Sequence, residues 1–253
     1  MALHPLVAGF TDVAEQYELG RPGYPPEVVA TVAERLGLAR GARVADVGAG
    51  TGKLTRALLA AGLDVVAVEP LGGLRGRLRA ELPGIEAVDA AAEVLPFPDA
   101  ALDAVVCANA FHWFDAPRAV AEFARVIRPG GGLALLWHDG VEDDSSAAWS
   151  AELQRVIGDR RPDHPAYTDD QGRGAVDANR AFGPLTPTEV RSCYATDPRR
   201  ILAHIASISW VAGLRPAERD ATLDAAADVL GRHGVGDVEV PLHTAIWSAA
   251  RRR

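Results

Sequence analysis

The sequence is poor in cysteine, in lysine and in long apolar runs. Its 253 residues include two cysteines, Cys107 and Cys193, and a single lysine, Lys53. Two cysteines cannot build a disulfide framework, and neither has the spacing of a metal-ligand pair, so we expect a reducing cytoplasm and no metal site. No stretch approaches the roughly 20 apolar residues that cross a bilayer. No cationic region precedes the charged Asp12, which argues against a signal peptide.

Positive charge is also scarce. Lysine and arginine together number 26 against 34 acidic residues, which gives a formal net charge of −8. Affinity for nucleic acid depends on neutralised phosphates, so this balance argues against a nucleic-acid partner. We interpret Arg251–Arg253 as a solvated tail. The composition, 48% hydrophobic and 24% charged, is that of an ordinary globular protein. We expect no membrane partner.

Short apolar runs and helical spacings alternate along residues 26–140. The runs predict buried strands at 44–47, 65–68, 85–88, 102–108 and 133–137. Between them, apolar residues recur at helical spacing and predict helices over 28–36, 54–61, 74–82 and 117–127. Such alternation implies right-handed crossovers and a parallel sheet with helices on both faces. Ligands bind these sheets beyond the carboxyl ends of the strands.

The pattern changes in the second half of the chain. Segments 145–185 and 196–233 stand outside the alternation, and we interpret them as lid-like additions to the core. Two last strands are predicted at 187–195 and 237–249. We therefore expect one domain over residues 1–253, with a doubly wound α/β core at 26–140 and its helical additions in the C-terminal half.

A glycine-rich loop follows the first predicted strand and opens a helix. Glycines allow the backbone to turn sharply and to approach a ligand closely. A phosphate-binding P-loop is excluded, because Gly52-Lys53 is followed by Leu54 and Val47 occupies its first glycine position. The dinucleotide fingerprint fits poorly, because its third glycine would be Lys53. Gly48-x-Gly50-x-Gly52 preceded by Asp46 suits a ligand without a pyrophosphate.

Glu69 ends the second predicted strand, about 20 residues after the loop begins. An acidic side chain at this position can accept both hydroxyls of a ribose. NAD and S-adenosylmethionine both carry a ribose, so Glu69 alone does not separate them; the glycine spacing does. The structural alternative is a tight turn beside a surface carboxylate.

At this point the chain resembles a known family, the class I S-adenosylmethionine-dependent methyltransferases of the type 11 group. The resemblance covers roughly residues 10 to 140 and implies a Rossmann-like, mostly parallel seven-stranded sheet. It rests on five motifs in order: Val44–Gly52, Val65–Pro70, Ala92–Phe97, Leu102–Val106 and Arg125–Gly131. The N-terminal segment 1–25, with Arg21-Pro22-Gly23-Tyr24-Pro25, is similar to that of trans-aconitate methyltransferase-like enzymes. In that subgroup the segment lies over the cofactor.

The resemblance implies S-adenosylmethionine as cofactor and a set of residues that bind it. Asp46 and the loop backbone would hold the methionine end, and Glu69 the ribose. The remaining positions would surround adenine, offer backbone near the amino acid portion, or close the site. The full set is Tyr17, Arg21, Asp46, Gly48, Ala49, Gly50, Gly52, Glu69, Pro70, Leu74, Ala92, Glu93 and Asn109.

Two features depart from the family pattern or leave a choice open. Ala91 replaces an Asp or Ser that many members place before the Ala-Glu pair, which removes a side-chain contact to the adenine amino group. Tyr17 and Arg21 would help to close the site if the N-terminal segment lies over the cofactor. The alternative is that Tyr24 and Pro25 merely anchor the chain on the core.

Methyl transfer from a sulfonium needs little covalent assistance, so alignment and exclusion of water should dominate catalysis. His112, shortly after the fourth predicted strand, is the candidate catalytic residue, either as a base or as a group that orients the acceptor. We expect a small-molecule acceptor. The alternatives are a non-catalytic cofactor-binding module, a protein or RNA methyltransferase, and a nicotinamide-dependent oxidoreductase.

Overall fold

The computed structural model describes residues 13–139, 148–158, 170 and 172–253. The chain divides into two compact units. The sheet unit comprises Gly23–Asp139, Pro165–Val190 and Thr244–Arg253. The helical unit comprises Met1–Pro22, Gly140–His164 and Arg191–His243.

Seven strands form one sheet in the order β3-β2-β1-β4-β5-β7-β6. They are β1 (Arg43–Val47), β2 (Asp64–Val68), β3 (Glu86–Val88), β4 (Leu102–Ala108), β5 (Ile127–Asp139), β6 (Thr186–Thr196) and β7 (Val238–Ala250). The β3-β2, β2-β1, β1-β4 and β4-β5 pairs are all parallel. The expected seven-stranded, mostly parallel sheet is thereby confirmed.

Helices connect the strands and account for the remaining described elements. They are α1 (Ala14–Gly20), α2 (Pro26–Leu36), α3 (Lys53–Ala60), α4 (Gly72–Glu81), α5 (Ala116–Val126), α6 (Ala148–Gly158), α7 (Gly174–Ala178), α8 (Pro198–Ala206), α9 (Ser209–Ala212) and α10 (Pro216–Arg232). A 3₁₀ turn, Phe111–Trp113, follows β4. α2 has Pro26 as its first residue and ends at Gly37 in the left-handed conformation, as the sequence predicts.

Both faces of the sheet unit are covered by apolar side chains. On one face, Val47, Cys107 and Leu135 pack in a cluster that includes Phe123 of α5. On the other face, alternate residues of the same strands pack with side chains of α2 and α3, including Val32 and Leu58. Burial on both faces explains why the strands are continuous apolar runs. Polar ligands must therefore meet this sheet at its edge, where the strands end.

β5 begins six residues earlier than predicted. The run Arg128–Gly132, which reads as a loop that closes a helix, lies inside the strand. Pairing with β7 overrides the local turn signal, because Gly130 N–H donates to Arg251 O and Arg251 N–H donates to Gly131 O. These bonds join the start of β5 to the end of β7, so β7 runs antiparallel to β5. A side chain at Gly131 would meet Asp103 O at 2.3 Å, which explains the glycine.

The helical unit has its own apolar cluster. Leu153 of α6, Ile201 and Ile205 of α8, and Val229 and Leu230 of α10 are buried together. Helix α1, which the apolar spacing does not reveal, packs on α8.

The lid-like segment 145–185 lies partly outside the described residues, and its boundaries stay a prediction. Within the lid-like segment 145–185, the residues from Gly172 onward belong to the core of the sheet unit, where Val176 and Phe182 are buried. Because the residues around them are mostly polar, the sequence pattern does not predict the burial of Val176 and Phe182. The remainder of the lid interpretation stays a prediction.

Candidate active site

The glycine loop after β1 is held against the end of β2. Val68 O accepts hydrogen bonds from Gly48 N–H at 2.9 Å and from Ala49 N–H at 3.1 Å. Gly48 has a φ of +74°, and a Cβ there would lie 2.5 Å from Cβ of Ala110. Only glycine fits this approach, so the loop lies directly against the turn that follows β4.

The third glycine explains why the dinucleotide spacing fails. Gly52 precedes α3 with a φ of +87°, and a Cβ there would lie 3.0 Å from Leu78 Cγ on α4. Close helix packing therefore requires a glycine at position 52. The dinucleotide fingerprint would place its third glycine one residue later, at Lys53, which is the first residue of α3. The Gly-x-Gly-x-Gly interpretation agrees with this geometry.

Asp46 is buried near the end of β1, with 1% of its surface exposed. Thr55 Oγ1 donates a hydrogen bond to Asp46 Oδ2 at 2.6 Å. Burial raises the pKa of Asp46 to about 7; the Thr55 hydrogen bond opposes the rise and the nearby Glu69 adds to it. The carboxyl therefore titrates near neutral pH and is poised to respond to a cationic ligand.

Glu69 lies between the two loops that follow β1 and β2. Its Oε2 accepts from Gly50 N–H and its Oε1 from Leu71 N–H, both at 2.8 Å. Burial raises the pKa of Glu69, while these two hydrogen bonds and the charge of Arg75 lower it. Each carboxylate oxygen has a second lone pair, so Glu69 can also accept from ribose hydroxyls. It orders the loop and remains able to bind a ligand.

Arg75 and Thr51 are residues that the sequence reasoning missed. Arg75 Nη1 donates to the backbone oxygens of Glu69 and Pro70 at 2.6 and 3.0 Å and so fixes the turn after β2. Thr51 is fully buried in the glycine loop, and its Oγ1 has no hydrogen-bond partner. A buried polar atom without a partner is costly unless a ligand or water satisfies it. In the sequence, the position of Thr51 between Gly50 and Gly52 is the feature that could have indicated a ligand-binding hydroxyl.

The predicted adenine side lies beside the same loops. Leu74 of α4 and Ala92 are buried. Glu93 is also buried, and its Oε1 accepts from Asp115 N–H at 2.8 Å, which ties the Ala92-Glu93 pair to the residues after β4. The neighbouring Phe114 faces Gly48, since a Cβ on that glycine would lie 3.2 Å from Phe114 Cζ. The structure thus brings these segments together around the glycine loop.

Asn109 directly follows β4 and has a φ of +50°, which is unusual for a residue other than glycine. Its Nδ2 donates to the Tyr24 hydroxyl at 2.9 Å, and its Oδ1 accepts from His138 N–H at 3.0 Å. The His138 ring stacks on Tyr24 at 4.3 Å, and its Nδ1 lies 3.1 Å from Thr244 Oγ1. Strained backbone persists where surrounding contacts fix it, as they do here, and such strain clusters at functional sites.

His112 lies in the 3₁₀ turn directly after β4. The indole Nε1 of Trp137, near the end of β5, donates to His112 Nδ1 at 3.3 Å. The His112 and Trp113 rings lie 4.9 Å apart. Since β4 and β5 are parallel neighbours, this pair belongs to the same edge of the sheet as the glycine loop.

Tyr17 and Arg21 lie in the helical unit rather than the sheet unit. The Arg21 guanidinium lies 5.4 Å from the centre of the Tyr17 ring, and its Nε donates to Ser207 Oγ at 3.0 Å. These contacts hold both residues within their own unit. A role of Tyr17 or Arg21 in cofactor binding stays a prediction.

Residues 13–139, 148–158, 170 and 172–253 contain no group of three histidine, cysteine, aspartate or glutamate side chains able to hold a metal ion. None of the helices in these ranges is long and apolar enough to cross a membrane.

Comparison with known proteins agrees with this geometry. The type 11 family described as a methyltransferase domain matches residues 45–135. An uncharacterized methyltransferase of Mycobacterium tuberculosis is 38% identical over 224 residues, which cover 88% of this chain and 86% of that protein. The chain belongs to the class I S-adenosylmethionine-dependent methyltransferases of type 11. The trans-aconitate-like resemblance of its N-terminal segment stays a prediction.

Solved structures share the methyltransferase fold. A candidate type II methyltransferase from Anaeromyxobacter dehalogenans is 26% identical, with a TM-score of 0.62 over 92% of this chain and 97% of that one. A candidate methyltransferase of an antibiotic biosynthesis pathway from Anabaena variabilis ATCC 29413 is 22% identical, with a TM-score of 0.64 over 90% and 98%. The chain's family membership and its 38% identical relative identify the enzyme as an S-adenosylmethionine-dependent methyltransferase. The close backbone approach at Gly48, the Thr51 hydroxyl and the buried carboxyls of Asp46 and Glu69 fit that cofactor.

Proposed function

We propose that this methyltransferase acts on a small-molecule acceptor by in-line displacement, and that it works mainly by aligning the reactants and excluding water. The observation that carries the proposal is the meeting of the glycine loop, Glu69 and the turn after β4. Gly50 N–H bonds Glu69, and Gly48 packs on Ala110. A ligand held by the loop therefore lies beside His112 and its aromatic neighbours.

The chain's own residues have distinct tasks in this proposal. When bound, S-adenosylmethionine supplies a methyl group on a sulfonium, whose leaving group is a neutral thioether. Asp46 and the backbone of Gly48–Gly52 hold the methionine end, and Glu69 accepts from the ribose. Leu74, Ala92, Glu93 and Pro70 border adenine, and Asn109 offers its backbone. Tyr17 and Arg21 help to close the site. Alignment of this kind can supply about 7–11 kcal/mol of the barrier reduction.

The proposed acceptor is small rather than macromolecular. The net charge of −8 disfavours RNA, because acidic residues outnumber the basic residues that could neutralise phosphates. Aromatic side chains, Phe111, Trp113 and Phe114, occupy the turn after β4, and apolar walls are typical of small-molecule sites. We place the reaction in the cytoplasm, in keeping with two unpaired cysteines, Cys107 and Cys193.

Transfer of a labelled methyl group tests the proposal. The full chain is incubated with methyl-tritiated S-adenosylmethionine and an extract of the source cells, and the products are separated by mass. Incorporation of label into the low-mass fraction is the expected result. Label confined to protein or RNA would contradict a small-molecule acceptor. Cofactor binding without any transfer would favour the non-catalytic alternative.

A further inference from the structure

The contact between Trp137 and His112 restricts the chemistry of the imidazole. An indole nitrogen can only donate a hydrogen bond, so the imidazole nitrogen that faces it must carry a lone pair. Trp137 Nε1 lies 3.3 Å from His112 Nδ1, and Trp137 is buried, with 4% of its surface exposed. Nδ1 is therefore the unprotonated nitrogen, and the proton of neutral His112 lies on Nε2.

We propose that Trp137 is a positioning residue that fixes His112 as the Nε2–H tautomer, so that His112 donates a hydrogen bond to the methyl acceptor. A donor at Nε2 cannot accept a proton from the acceptor. The acceptor class is accordingly one that is already nucleophilic at neutral pH, such as a carboxylate or another oxyanion. This inference rests on the proposed methyl transfer and decides between the two roles left open for His112.

A base at Nε2 would require the opposite tautomer. The Nδ1–H group and the Trp137 N–H group would then face each other as two donors with no acceptor between them. The buried indole N–H would also lose the acceptor that satisfies it in the structure. Buried donors without acceptors are strongly disfavoured, so the contact selects against the base form.

Arg173 adds a second, independent observation to the same group. Its guanidinium carbon lies 5.4 Å from the centre of the Trp137 ring and 4.5 Å from that of Trp247. A cation over the face of an indole is attracted by the ring and withdraws electron density from it, which strengthens the N–H as a donor.

The backbone fixes the place of Arg173. Gly172 has a φ of +84°, and a Cβ there would lie 3.1 Å from Ala116 Cβ and 3.3 Å from Phe111 Cε1. Any side chain at position 172 would push the segment away from the turn that carries His112. Arg173, Trp137 and His112 therefore form a connected series within the sheet unit.

The tautomer can be measured without any acceptor. Two-bond ¹H–¹⁵N correlation spectra of the ¹⁵N-histidine-labelled full chain distinguish the two neutral forms, and the signal lost in His112→Gln assigns His112. We expect the Nε2–H pattern in the wild type and in Trp247→Phe, the matched control that alters the other indole beside Arg173. Trp137→Phe should give a mixture of tautomers. An Nδ1–H pattern in the wild type, or an unchanged pattern in Trp137→Phe, would overturn the proposal.

The rate of label transfer to the low-mass fraction gives a second readout. Glutamine places an amide N–H near the position of Nε2, so His112→Gln should be at least about 5-fold faster than His112→Ala, the ratio expected for one hydrogen bond. A base role predicts losses of about 100-fold or more for both variants. Calorimetry with S-adenosylhomocysteine separates the two hypotheses: failure to bind it would refute the proposed function and leave the tautomer result standing.

Discussion

At the scale of single residues, the site depends on two carboxyl groups that the fold removes from water. Asp46 and Glu69 are both buried, and burial raises the pKa of each. A threonine hydroxyl donates to Asp46, and two backbone N–H groups donate to Glu69. This arrangement keeps acceptor capacity for a ligand at some expense in stability.

The first prediction concerns the pH dependence of folding. The folded pKa of Asp46, about 7, exceeds its ordinary value of 3.8. The native state therefore binds more protons between these values, and stability must fall as the pH rises through this window. The effect of Asp46 is at most about 4 kcal/mol. Urea unfolding of the cofactor-free chain at about pH 5 and about pH 8 should show a smaller loss in Asp46→Asn than in the wild type. Identical losses would refute a raised pKa.

The second prediction concerns Glu69. Glu69→Ala removes the proposed ribose acceptor and the partner of Gly50 and Leu71, so calorimetry should show S-adenosylhomocysteine affinity reduced by about 1–3 kcal/mol. Glu69→Gln should recover only part, because its NH₂ group would face one of the two backbone donors. Glu34→Ala, which truncates an exposed glutamate on α2, is the control and should bind normally. Wild-type affinity in Glu69→Ala would disprove the ribose assignment.

At the scale of elements, the function depends on how closely one loop approaches the next. The glycine loop after β1 lies against the end of β2 and against the turn after β4, and no side chain fits between them at Gly48. Because parallel strands end at the same edge, three loops that are distant in sequence meet in one place.

The third prediction separates backbone strain from close approach. Gly48 and Gly37 both have positive φ, but a Cβ at Gly37 would meet nothing within 4 Å, whereas at Gly48 it would meet Ala110 at 2.5 Å. Gly37→Ala should cost about 1 kcal/mol of stability and leave cofactor binding intact. Gly48→Ala should be more destabilising and should also lose S-adenosylhomocysteine affinity. Equal effects on unfolding and on binding would show that the close approach is unimportant.

At the scale of the whole molecule, the additions in the second half of the chain stand outside the strand–helix alternation of the core. We propose that 196–233, together with the part of 145–185 before Gly172, acts as the predicted lid and shapes acceptor choice, since specificity is often built on segments outside the common core. Limited proteolysis should cut these segments more slowly when S-adenosylhomocysteine and the low-mass fraction are present. Cleavage rates that ignore both ligands would argue against a lid.

The strands, the glycine loop and the two acidic residues of the site could be predicted from sequence, because each depends on local pattern. Asp46, Gly48 and Glu69 stand at fixed offsets from strand ends, and hydrogen bonds join the glycine loop to Val68 and Glu69. What could not be predicted depends on contacts between distant residues. The Trp137–His112 bond, which restricts the imidazole, joins β5 to the turn after β4 across 25 residues of sequence. The extension of β5 through a glycine run depends likewise on Arg251.

The most direct test of the central claim is which cofactor the chain binds. Calorimetric titration of the full chain with S-adenosylmethionine, S-adenosylhomocysteine and NAD separates the two ligand classes that share a ribose. The glycine spacing, with close packing at Gly52 rather than at Lys53, predicts saturable binding of both sulfur compounds and no detectable heat with NAD. Binding of NAD without any response to the sulfur compounds would contradict the assignment of the site.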